Sequence, residues 1–321
     1  MTDRSDVPQK QDILEASLRI QKHIHRTPVF TSSNLNSIVG CEAFFKCENL
    51  QKAGAFKSRG ATNAVFSLTE DEIVKGVCTH SSGNHAAALS RAAGLRNAKA
   101  YIVMPSNSSR VKIAAVKHYG GLITFCEPNL ASRESTLEKV KLETGSVEIH
   151  PYNNLRVIAG QATAVMELLE TVPNLDVVMA PVGGGGLLSG TALACKYFSP
   201  GTKVIAAEPK GADDAFQSFI SRKFVPSVNP KTIADGLLTS LGSFTFPIIL
   251  ENVNQIVTVT EDGIIRAMRL IWERMKIIVE PSSAVPFAAL LENRFDHSGK
   301  CIGIILSGGN VDLDKIPWYS A

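Results

Sequence analysis

One lysine in an apolar setting is the residue of this sequence best equipped for covalent chemistry. Lys57 lies in the segment GAFKSRGA, after a strand-like run at residues 43–47, with Ala55 and Phe56 beside it. Burial favours the neutral form of a lysine amine, and a neutral amine attacks carbonyl carbons. Taken alone, the segment is more typical of an exposed lysine at a helix start, because most lysines face solvent. The rest of the sequence must decide between these interpretations.

Four consecutive glycines at positions 183–186 form a second segment with a chemical use. They follow an apolar run at 176–182 and precede a helical run at 187–197. Glycine lets the backbone approach a ligand closely, and amides at a helix start bind anions. The run lacks the G-x-G-x-x-G spacing of dinucleotide sites and the Lys-Ser/Thr pair of nucleotide loops. We therefore interpret it as a cradle for one phosphate group, with a flexible turn as the alternative.

Two polar segments follow predicted strands. SSGNH at residues 81–85 follows a strand-like run at 77–79, and SGGN at 307–310 follows one at 302–306. Ligands of parallel sheets bind at the carboxyl ends of strands, so both segments are expected at the site. Helix capping alone would explain the first segment, and a simple turn the second. With a lysine able to form a Schiff base and a phosphate cradle, they match the needs of pyridoxal phosphate.

The composition is typical of a globular protein with a small-molecule partner. Of 321 residues, 45% are hydrophobic and 20% charged, and 33 basic residues balance 30 acidic ones. No basic run indicates nucleic acid, and no run of 18 apolar residues indicates a membrane span. The first 25 residues are polar and lack an apolar leader, so we expect a cytoplasmic location. Six cysteines without C-x-x-C spacing are expected to be buried thiols.

Strand-like and helical runs alternate along most of the chain, which predicts an α/β fold. Strands are predicted at 43–47, 77–79, 100–103, 122–126, 147–149, 176–182, 203–207, 256–259 and 301–306. Helices are predicted at 13–24, 86–93, 112–118, 132–143, 158–169, 187–197, 263–275 and 283–291. We expect a small domain at residues 77–153 and a large domain made of residues 1–76 and 154–321. No flexible linker separates them, so a shared cleft would hold the site.

Seven segments, taken in order, resemble a known family. They are GAFKSRGA, HSSGNHAA, GGGGLLSG, AAEPKGADD, TIADG, VEPSSA and SGGNVDL. From about Ile13 to Leu313 the chain is similar to fold-type II pyridoxal-phosphate enzymes of the serine/threonine dehydratase family, and among these to the serine racemases. The resemblance implies two domains, each with a helix-covered and mainly parallel sheet, and an active site in the cleft between them.

The resemblance also implies roles for residues around the cofactor. Lys57 would attach pyridoxal phosphate covalently, and Ser82 would be the acid/base on the opposite face of the ring. Asn84 would contact the ring 3-hydroxyl, and Ser307 the pyridine nitrogen, which a serine leaves neutral. The residues implied to bind the cofactor are Phe56, Lys57, Asn84, Gly183, Gly184, Gly185, Gly186, Leu187 and Ser307.

Substrate recognition is implied by the same resemblance. The residues of the carboxylate-binding loop would be Ser81, Ser82, Asn84 and His85. Arg133 and Thr239 would line the outer pocket, where Arg133 could pair with a second carboxylate through two hydrogen bonds. An enzyme with this pocket could prefer L-threo-3-hydroxyaspartate or aspartate to serine.

Two bases on opposite faces are what racemisation requires, since one removes the α-proton and the other returns a proton from behind. We therefore expect a serine racemase that also eliminates water from serine, giving pyruvate and ammonia. The alternative within this chemistry is an ammonia-lyase dedicated to L-threo-3-hydroxyaspartate or to L-serine and L-threonine, with aspartate racemase activity as an addition. A non-catalytic phosphate binder, from another class, would explain the glycines but not Lys57 with Ser82.

A divalent cation is implied at Glu208, the Ala212 carbonyl and Asp214. Two carboxylates, a carbonyl and waters suit Mg²⁺, or Ca²⁺ and Mn²⁺ in its place. Without the resemblance, Asp213 and Asp214 would be interpreted as the acidic start of a helix.

A nucleotide at a subunit interface and a homodimer are implied by the family alone. The matching nucleotide positions are Ser32, Ser33, Lys52, Lys112, Ala115, Tyr119 and Asn310. Nearby, the chain departs from the family at Asn34, Ala53 and Ala87, which removes polar contacts. Allosteric activation by ATP is therefore left open, with Lys52 and Lys112 in its favour.

Overall fold

Two mainly parallel sheets, each covered by helices, build the protein. The computed structural model describes residues 7–318. The strands are β1 (Val29–Thr31), β2 (Glu42–Cys47), β3 (Val77–His80), β4 (Ala100–Pro105), β5 (Leu122–Cys126), β6 (Val147–Glu148), β7 (Val177–Pro181), β8 (Lys203–Pro209), β9 (Gln255–Val259) and β10 (Cys301–Leu306). The helices are α1 (Lys10–Ile20), α2 (Ser33–Val39), α3 (Lys57–Phe66), α4 (Glu70–Ile73), α5 (Asn84–Gly94), α6 (Arg110–His118), α7 (Leu130–Thr144), α8 (Leu155–Thr171), α9 (Gly186–Phe198), α10 (Asp214–Ser221), α11 (Thr245–Asn252), α12 (Glu261–Met275) and α13 (Pro281–Leu291).

The larger sheet has the strand order β1-β2-β10-β7-β8-β9. Strand β1 runs antiparallel to β2, and the other pairings are parallel. The register places Leu306 opposite Cys47 and Ile302 opposite Val177. Because β10 lies between β2 and β7, the carboxyl ends of these three strands meet at one edge of the sheet.

The smaller sheet has the order β5-β4-β3-β6, and all its pairings are parallel. Its strands all lie between residues 77 and 148. Parallel neighbours need a crossover connection, which α5, α6 and α7 supply. The domain boundaries at 76/77 and 153/154 stay a prediction.

The central strands are apolar on both faces because helices cover the larger sheet on both sides. In β7, Val177 and Met179 join one hydrophobic cluster, whereas Val178 and Ala180 join the other. Strands buried on both faces have continuous apolar sequences instead of alternating ones. This explains the uninterrupted apolar run before the glycines.

Helices α3 and α8 cross at two glycines. A Cβ atom on Gly160 would lie 2.6 Å from the Cα of Gly60, and one on Gly60 would lie 2.7 Å from the Val157 carbonyl oxygen. The two backbones are therefore in direct contact. Since α3 begins at Lys57, this crossing fixes the position of the lysine relative to α8.

Each of the nine predicted strands is present within two residues of its expected ends. The short elements β1, α2, α4, α10 and α11 had no prediction. The first helix ends at Ile20 instead of continuing to Ile24, because residues 21–24 form turns and the His23 amide donates back to the Ile20 carbonyl oxygen at 2.8 Å. Periodicity located the long elements, whereas tertiary contacts decide the short ones.

Two expectations from composition can be compared with the structure. All six cysteines are free, and five are buried while Cys301 is partly exposed. Among residues 7–318, no helix has both the length and the apolar character needed to cross a bilayer.

Candidate active site

Loops at the carboxyl ends of strands from both sheets carry the predicted residues. In the larger sheet, the glycines follow β7, Ser307 follows β10, and Lys57 follows β2 after two turns of 3₁₀ helix. In the smaller sheet, residues 81–85 follow β3 and residues 150–153 follow β6. This is the edge at which parallel sheets bind ligands.

The amine of Lys57 is held at the start of α3. Its Nζ donates a 2.7 Å hydrogen bond to the Pro151 carbonyl oxygen and lies 5.1 Å from the centre of the Phe56 ring. The side chain is partly exposed, yet protein atoms surround the amine. Burial lowers the pKa of Lys57 to about 8, against an opposing effect of Glu280. Lys57 can therefore be a neutral nucleophile at mildly alkaline pH.

The segment before Lys57 pairs with the segment after β10. The Phe56 amide donates to the Ser307 carbonyl oxygen at 3.0 Å, and Ala55 forms an antiparallel bridge with Gly308. Ser307 is 3% exposed. The structure thus brings Ser307 beside the lysine segment, although more than 240 residues separate them in sequence.

The glycine segment forms the turn between β7 and α9. Gly185 has a left-handed backbone with φ of 84° and precedes the helix, whose second residue, Leu187, is buried. A Cβ atom on Gly184 would lie 2.3 Å from the Tyr152 ring. Contacts within the protein therefore require a glycine here, apart from any ligand. The first amides of α9 have no partner inside the helix and can bind an anion.

The turn between β3 and α5 carries the predicted substrate loop. The Gly83 amide donates to Ser81 Oγ at 3.3 Å, and α5 begins at Asn84. Ser82 is partly exposed, and its hydroxyl makes no hydrogen bond to another residue in the range 7–318. The Lys112 side chain packs over Gly83, where a Cβ atom would lie 2.2 Å from Lys112 Cδ. The Ser82 hydroxyl is thus available to a ligand.

The imidazole of His85 is buried and neutral. Its Nε2 lies 3.0 Å from the Ile149 carbonyl oxygen, which can only accept, so Nε2 carries the proton. Burial, reinforced by the charge of Lys57, lowers the pKa of His85 to about 3. Nδ1 is left as a buried acceptor without a partner in the described part of the chain. Any carboxylate bound here would use the His85 backbone amide rather than its ring.

The segment between β6 and α8 belongs to the site, although no motif in it predicts a role. Tyr152 packs edge-to-face on His150 with 4.6 Å between ring centres, and His150 packs likewise on His80 at 5.7 Å. The Asn153 amide donates to His150 Nδ1 at 2.9 Å. The Tyr152 hydroxyl interacts with Thr239. Ligands bind at the carboxyl ends of parallel strands. Applied to the predicted strand at 147–149, this rule places the segment at the site.

Arg133, in α7, lies near the ring cluster of His80, His150 and Tyr152. Its Nε is buried without a hydrogen-bond partner among residues 7–318. Its charge contributes to the lowered pKa of His80, after the larger effect of burial. Arg133 is therefore a nearby cation with a donor to spare.

Glu280 is a further site residue for which the sequence predicted no role. It precedes α13 and accepts a 2.8 Å hydrogen bond from Asn84 Nδ2. Asn310 Nδ2 donates to the other end of the Asn84 amide, at 3.0 Å. Glu280 lies in the quoted segment VEPSSA, but an acidic residue before a proline is also typical of an ordinary helix start.

The predicted cation residues lie together and are buried. Glu208 is fully buried at the end of β8 and accepts from the amides of Ala215 and Phe216 at 3.1 and 2.8 Å. Among residues 7–318, neither side-chain oxygen of Asp214 has a hydrogen-bond partner within 3.5 Å, although the Ser227 hydroxyl lies near enough to favour the charged form. Burial raises the pKa of Glu208 to about 9 and that of Asp214 to about 6. Two neighbouring buried acids, one of them with unpaired oxygens, fit a cation, with Ala212, also buried, beside them.

The predicted nucleotide residues divide into separate groups. Lys112 forms an ion pair with Asp235 and packs over Gly83, and Asn310 contacts Asn84, so both lie beside the turn between β3 and α5. Ser32 caps α2, in which Ser33 is the first residue. No hydrogen bond or ion pair within residues 7–318 joins the two groups. The other positions are Lys52, whose carbonyl accepts from Ser58, and Ala115 and Tyr119 on and after α6.

The residues present fit pyridoxal phosphate. Lys57 offers an amine of lowered pKa, and the start of α9 offers amides for a phosphate. Glu280, which interacts with Lys57, keeps one buried carboxylate oxygen without a partner among residues 7–318. Proteins rarely leave buried polar atoms unpaired, so a polar ligand is expected near it.

Comparisons with known proteins agree with this chemistry. The chain is 54% identical to a serine racemase of Dictyostelium discoideum over 95% of this chain and 96% of that protein. It is 52% identical to a beta-hydroxyaspartate dehydratase of Paracoccus denitrificans, over 97% of this chain and 99% of that protein. The crystal structure of the Dictyostelium serine racemase superposes with a TM-score of 0.91 over 96% of this chain and all of that chain. Residues 20–308 match the model of the pyridoxal-phosphate dependent enzymes, and the chain belongs to that family.

Proposed function

We propose that the protein is a serine racemase, which interconverts L- and D-serine and also converts serine into pyruvate and ammonia by β-elimination. The observation that carries the proposal is Lys57, whose amine has a lowered pKa and lies between the Pro151 carbonyl and the Phe56 ring. The name and the 54% identity of the Dictyostelium relative support the choice of serine.

Pyridoxal phosphate, when bound, supplies an electron sink that makes the α-proton of an attached amino acid acidic. The protein would hold it covalently through Lys57. The residues proposed to hold it otherwise are Phe56, Asn84, Gly183, Gly184, Gly185, Gly186, Leu187 and Ser307. The Ser307 hydroxyl would meet the pyridine nitrogen without charging it.

Lys57 and Ser82 are proposed as the two bases. Lys57 would exchange a proton with Cα from one face, and Ser82 from the other. The Ser82 hydroxyl makes no hydrogen bond to another residue in the described chain, which supports its role as the second base. Acid/base groups of this kind contribute roughly 10² to 10⁴ to a rate.

The substrate carboxylate is proposed to bind at the start of α5. Backbone amides there have no partner inside the helix and favour an anion. Ser81, Ser82, Asn84 and His85 form this turn. With its proton on Nε2 and directed at Ile149, the His85 ring would take no direct part.

A divalent cation, Mg²⁺ in preference to Ca²⁺ or Mn²⁺, is proposed at Glu208, the Ala212 carbonyl and Asp214. The unpaired oxygens of Asp214 support it. A cation would offset the charge of two buried carboxylates and so stabilise the loop that joins β8 to α10.

A homodimer in the cytoplasm is proposed on the strength of the family, with no nucleic-acid or membrane partner. ATP is proposed as an allosteric activator. Lys112 is already paired with Asp235, and Asn310 with Asn84, so a nucleotide would have to compete with these contacts.

The second candidate is a dehydratase of L-threo-3-hydroxyaspartate, with or without aspartate racemase activity. The observation in its favour is Arg133, whose buried Nε has no partner and could bind a second carboxylate. The name of the Paracoccus relative points the same way.

A chiral assay tests the proposal directly. Purified protein with added pyridoxal phosphate is incubated with L-serine, L-threonine or L-threo-3-hydroxyaspartate, and D-serine, keto acid and ammonia are measured. Formation of D-serine from L-serine is expected. Keto acid from hydroxyaspartate without D-serine from L-serine would favour the second candidate, and no turnover of any of them would exclude both.

A further inference from the structure

Glu280 lies where three segments of the site meet. It is 3% exposed, and its backbone amide donates to the Gly308 carbonyl oxygen at 3.0 Å. A Cβ atom on Gly308 would lie 2.6 Å from Glu280 Oε1, so only a glycine admits the carboxylate here. The side chain leaves its own helix uncapped and turns towards Asn84 instead.

Two groups that can only accept determine how two neighbouring amides are turned. Asn310 Nδ2 donates to the Ala53 carbonyl oxygen at 2.8 Å and to Asn84 Oδ1 at 3.0 Å. Asn84 in turn donates from Nδ2 to Glu280 Oε1 at 2.8 Å. The Ala53 carbonyl requires a donor, so the nitrogen of the Asn310 amide faces it and also faces Asn84. The Glu280 carboxylate likewise requires a donor from Asn84. Both contacts are consistent with only one orientation of the Asn84 amide.

This orientation limits what Asn84 can offer a ligand. Its Nδ2 carries two hydrogens, and Glu280 takes one of them. Its Oδ1 faces Asn310. The second N–H is the group left over, so Asn84 can recognise an acceptor. A flipped amide would present its carbonyl oxygen and repel a negatively charged acceptor.

We propose that Glu280 is a positioning residue, which holds the Asn84 amide so that an N–H faces the 3-oxygen of the cofactor ring. The inference rests on the proposed function, because it takes pyridoxal phosphate as the ligand. An ionised ring oxygen accepts a hydrogen bond more strongly than a neutral hydroxyl does, so the arrangement favours the ionised form of the cofactor.

Protonation of Glu280 leaves this arrangement intact. Burial raises the pKa of Glu280 to about 7, although the charge of Lys112 opposes it. Oε2 has no hydrogen-bond partner within 3.5 Å among residues 7–318 and can take the proton. Oε1 then continues to accept from Asn84.

Binding of pyridoxal phosphate to cofactor-free protein tests the role. Glu280→Met removes the acceptor at similar side-chain length, and the dissociation constant should rise roughly tenfold or more. Glu280→Gln keeps an acceptor oxygen and should bind nearly as the wild type does. An unchanged constant in Glu280→Met would overturn the proposal.

The analogue 3-deoxypyridoxal 5'-phosphate separates positioning from general damage. Without the ring oxygen, the orientation of Asn84 has no consequence, so wild type and Glu280→Met should bind the analogue equally. Comparing two proteins with two ligands isolates the contribution of the contact between Asn84 and the ring oxygen. An equal loss for both ligands would assign Glu280 a merely structural role and defeat the proposal.

Glu292→Met is the matched control, since Glu292 lies at the opposite end of α13 and accepts from Thr260 and Arg294. It should lower the melting temperature without changing either dissociation constant. If wild-type protein binds no pyridoxal phosphate, the proposed function itself fails. If the wild type binds and Glu280→Met matches it, the positioning role alone fails.

A second pair of variants covers the case in which Glu280→Met does not fold. Asn84→Asp places two carboxylates together and should lower the melting temperature. Adding Glu280→Gln supplies a donor, so the melting temperature should recover, while pyridoxal phosphate binding stays weak because position 84 has no N–H. The proposal would be contradicted if the melting temperature and pyridoxal phosphate binding both recovered, or if neither did.

Discussion

Arg59 and Glu167 are joined by two parallel hydrogen bonds of 2.8 Å each, in the core two residues after Lys57. Glu48 binds the other edge of the guanidinium at 2.7 and 2.8 Å. Thr163 accepts the remaining hydrogen at 3.1 Å. All five donors are satisfied, which offsets the cost of burying the charge. Through these contacts, the cluster joins α3, which begins at Lys57, to α8 and to the turn after β2.

Arg59→Met should therefore destabilise the protein strongly. The substitution leaves Glu48 and Glu167 buried with too little positive charge, and breaking a buried pair in this way costs about 3–5 kcal/mol of unfolding free energy. Urea denaturation measures the loss. Arg26→Met, which removes an exposed partner of Glu170, is the control and should cost about 1 kcal/mol or less. Equal losses would contradict the role assigned to the cluster.

Covalent attachment of pyridoxal phosphate should depend on pH through Lys57. Its pKa is lowered from the usual 10.5 to about 8, so the reactive neutral fraction grows as pH rises through 8. The attachment rate, followed by absorption, should increase up to that region and level off above it. Lys57→Ala should show no attachment. A flat profile, or attachment in Lys57→Ala, would rule out this lysine.

Ser82→Ala should affect the two enantiomers of serine differently. Lys57 can still take the proton of L-serine, so pyruvate from L-serine should persist. D-serine would lose its base, so its elimination and its formation should fall by roughly 10² or more. Pyruvate from each enantiomer and deuterium uptake at Cα are the measurements. Ser81→Ala is the control and should affect L- and D-serine alike, since its loop is proposed to bind the carboxylate of either. An equal loss for L- and D-serine in Ser82→Ala would refute the two-base assignment.

Removal of divalent cations should lower the melting temperature. A ligand that binds only the folded protein stabilises it, and Glu208 and Asp214 would lose their counter-charge. The melting curve is recorded with excess chelator and again after Mg²⁺ is restored. Asp214→Asn should abolish the difference between the two curves. No shift in the wild type, with no metal found by elemental analysis, would exclude the site.

Arg133→Gln should distinguish the two substrate candidates. If Arg133 binds a second carboxylate, the loss of a charged hydrogen bond should reduce kcat/KM for L-threo-3-hydroxyaspartate roughly tenfold or more. L-serine lacks that carboxylate and should be affected less. Arg110→Gln, at the start of another helix of the smaller-sheet region, is the control. Equal reductions for both substrates would assign Arg133 another role.

The sequence predicted the site best where one short segment carries the chemistry. Lys57, the glycine turn and Ser307 each follow a strand, and strand ends can be found from apolar runs. Glu280 follows no strand, and its importance comes from contacts with distant segments. Pro151 and Tyr152 do follow a predicted strand, so the same rule places their segment at the site without showing what each residue contributes. The Pro151 carbonyl, for example, accepts from Lys57 across 94 positions. Every residue has a backbone carbonyl oxygen, so no sequence motif can identify the one that binds Lys57.

The crossing of α3 and α8 also limits how this chain can change. Most surface positions of the two helices could accept several amino acids, but positions 60 and 160 can each accept only one, because the smallest addition would meet backbone at 2.6–2.7 Å. Backbone cannot yield as a flexible side chain does, so even alanine would force the helices apart. Random mutagenesis of these two helices should therefore recover active clones with many altered positions and none at these two.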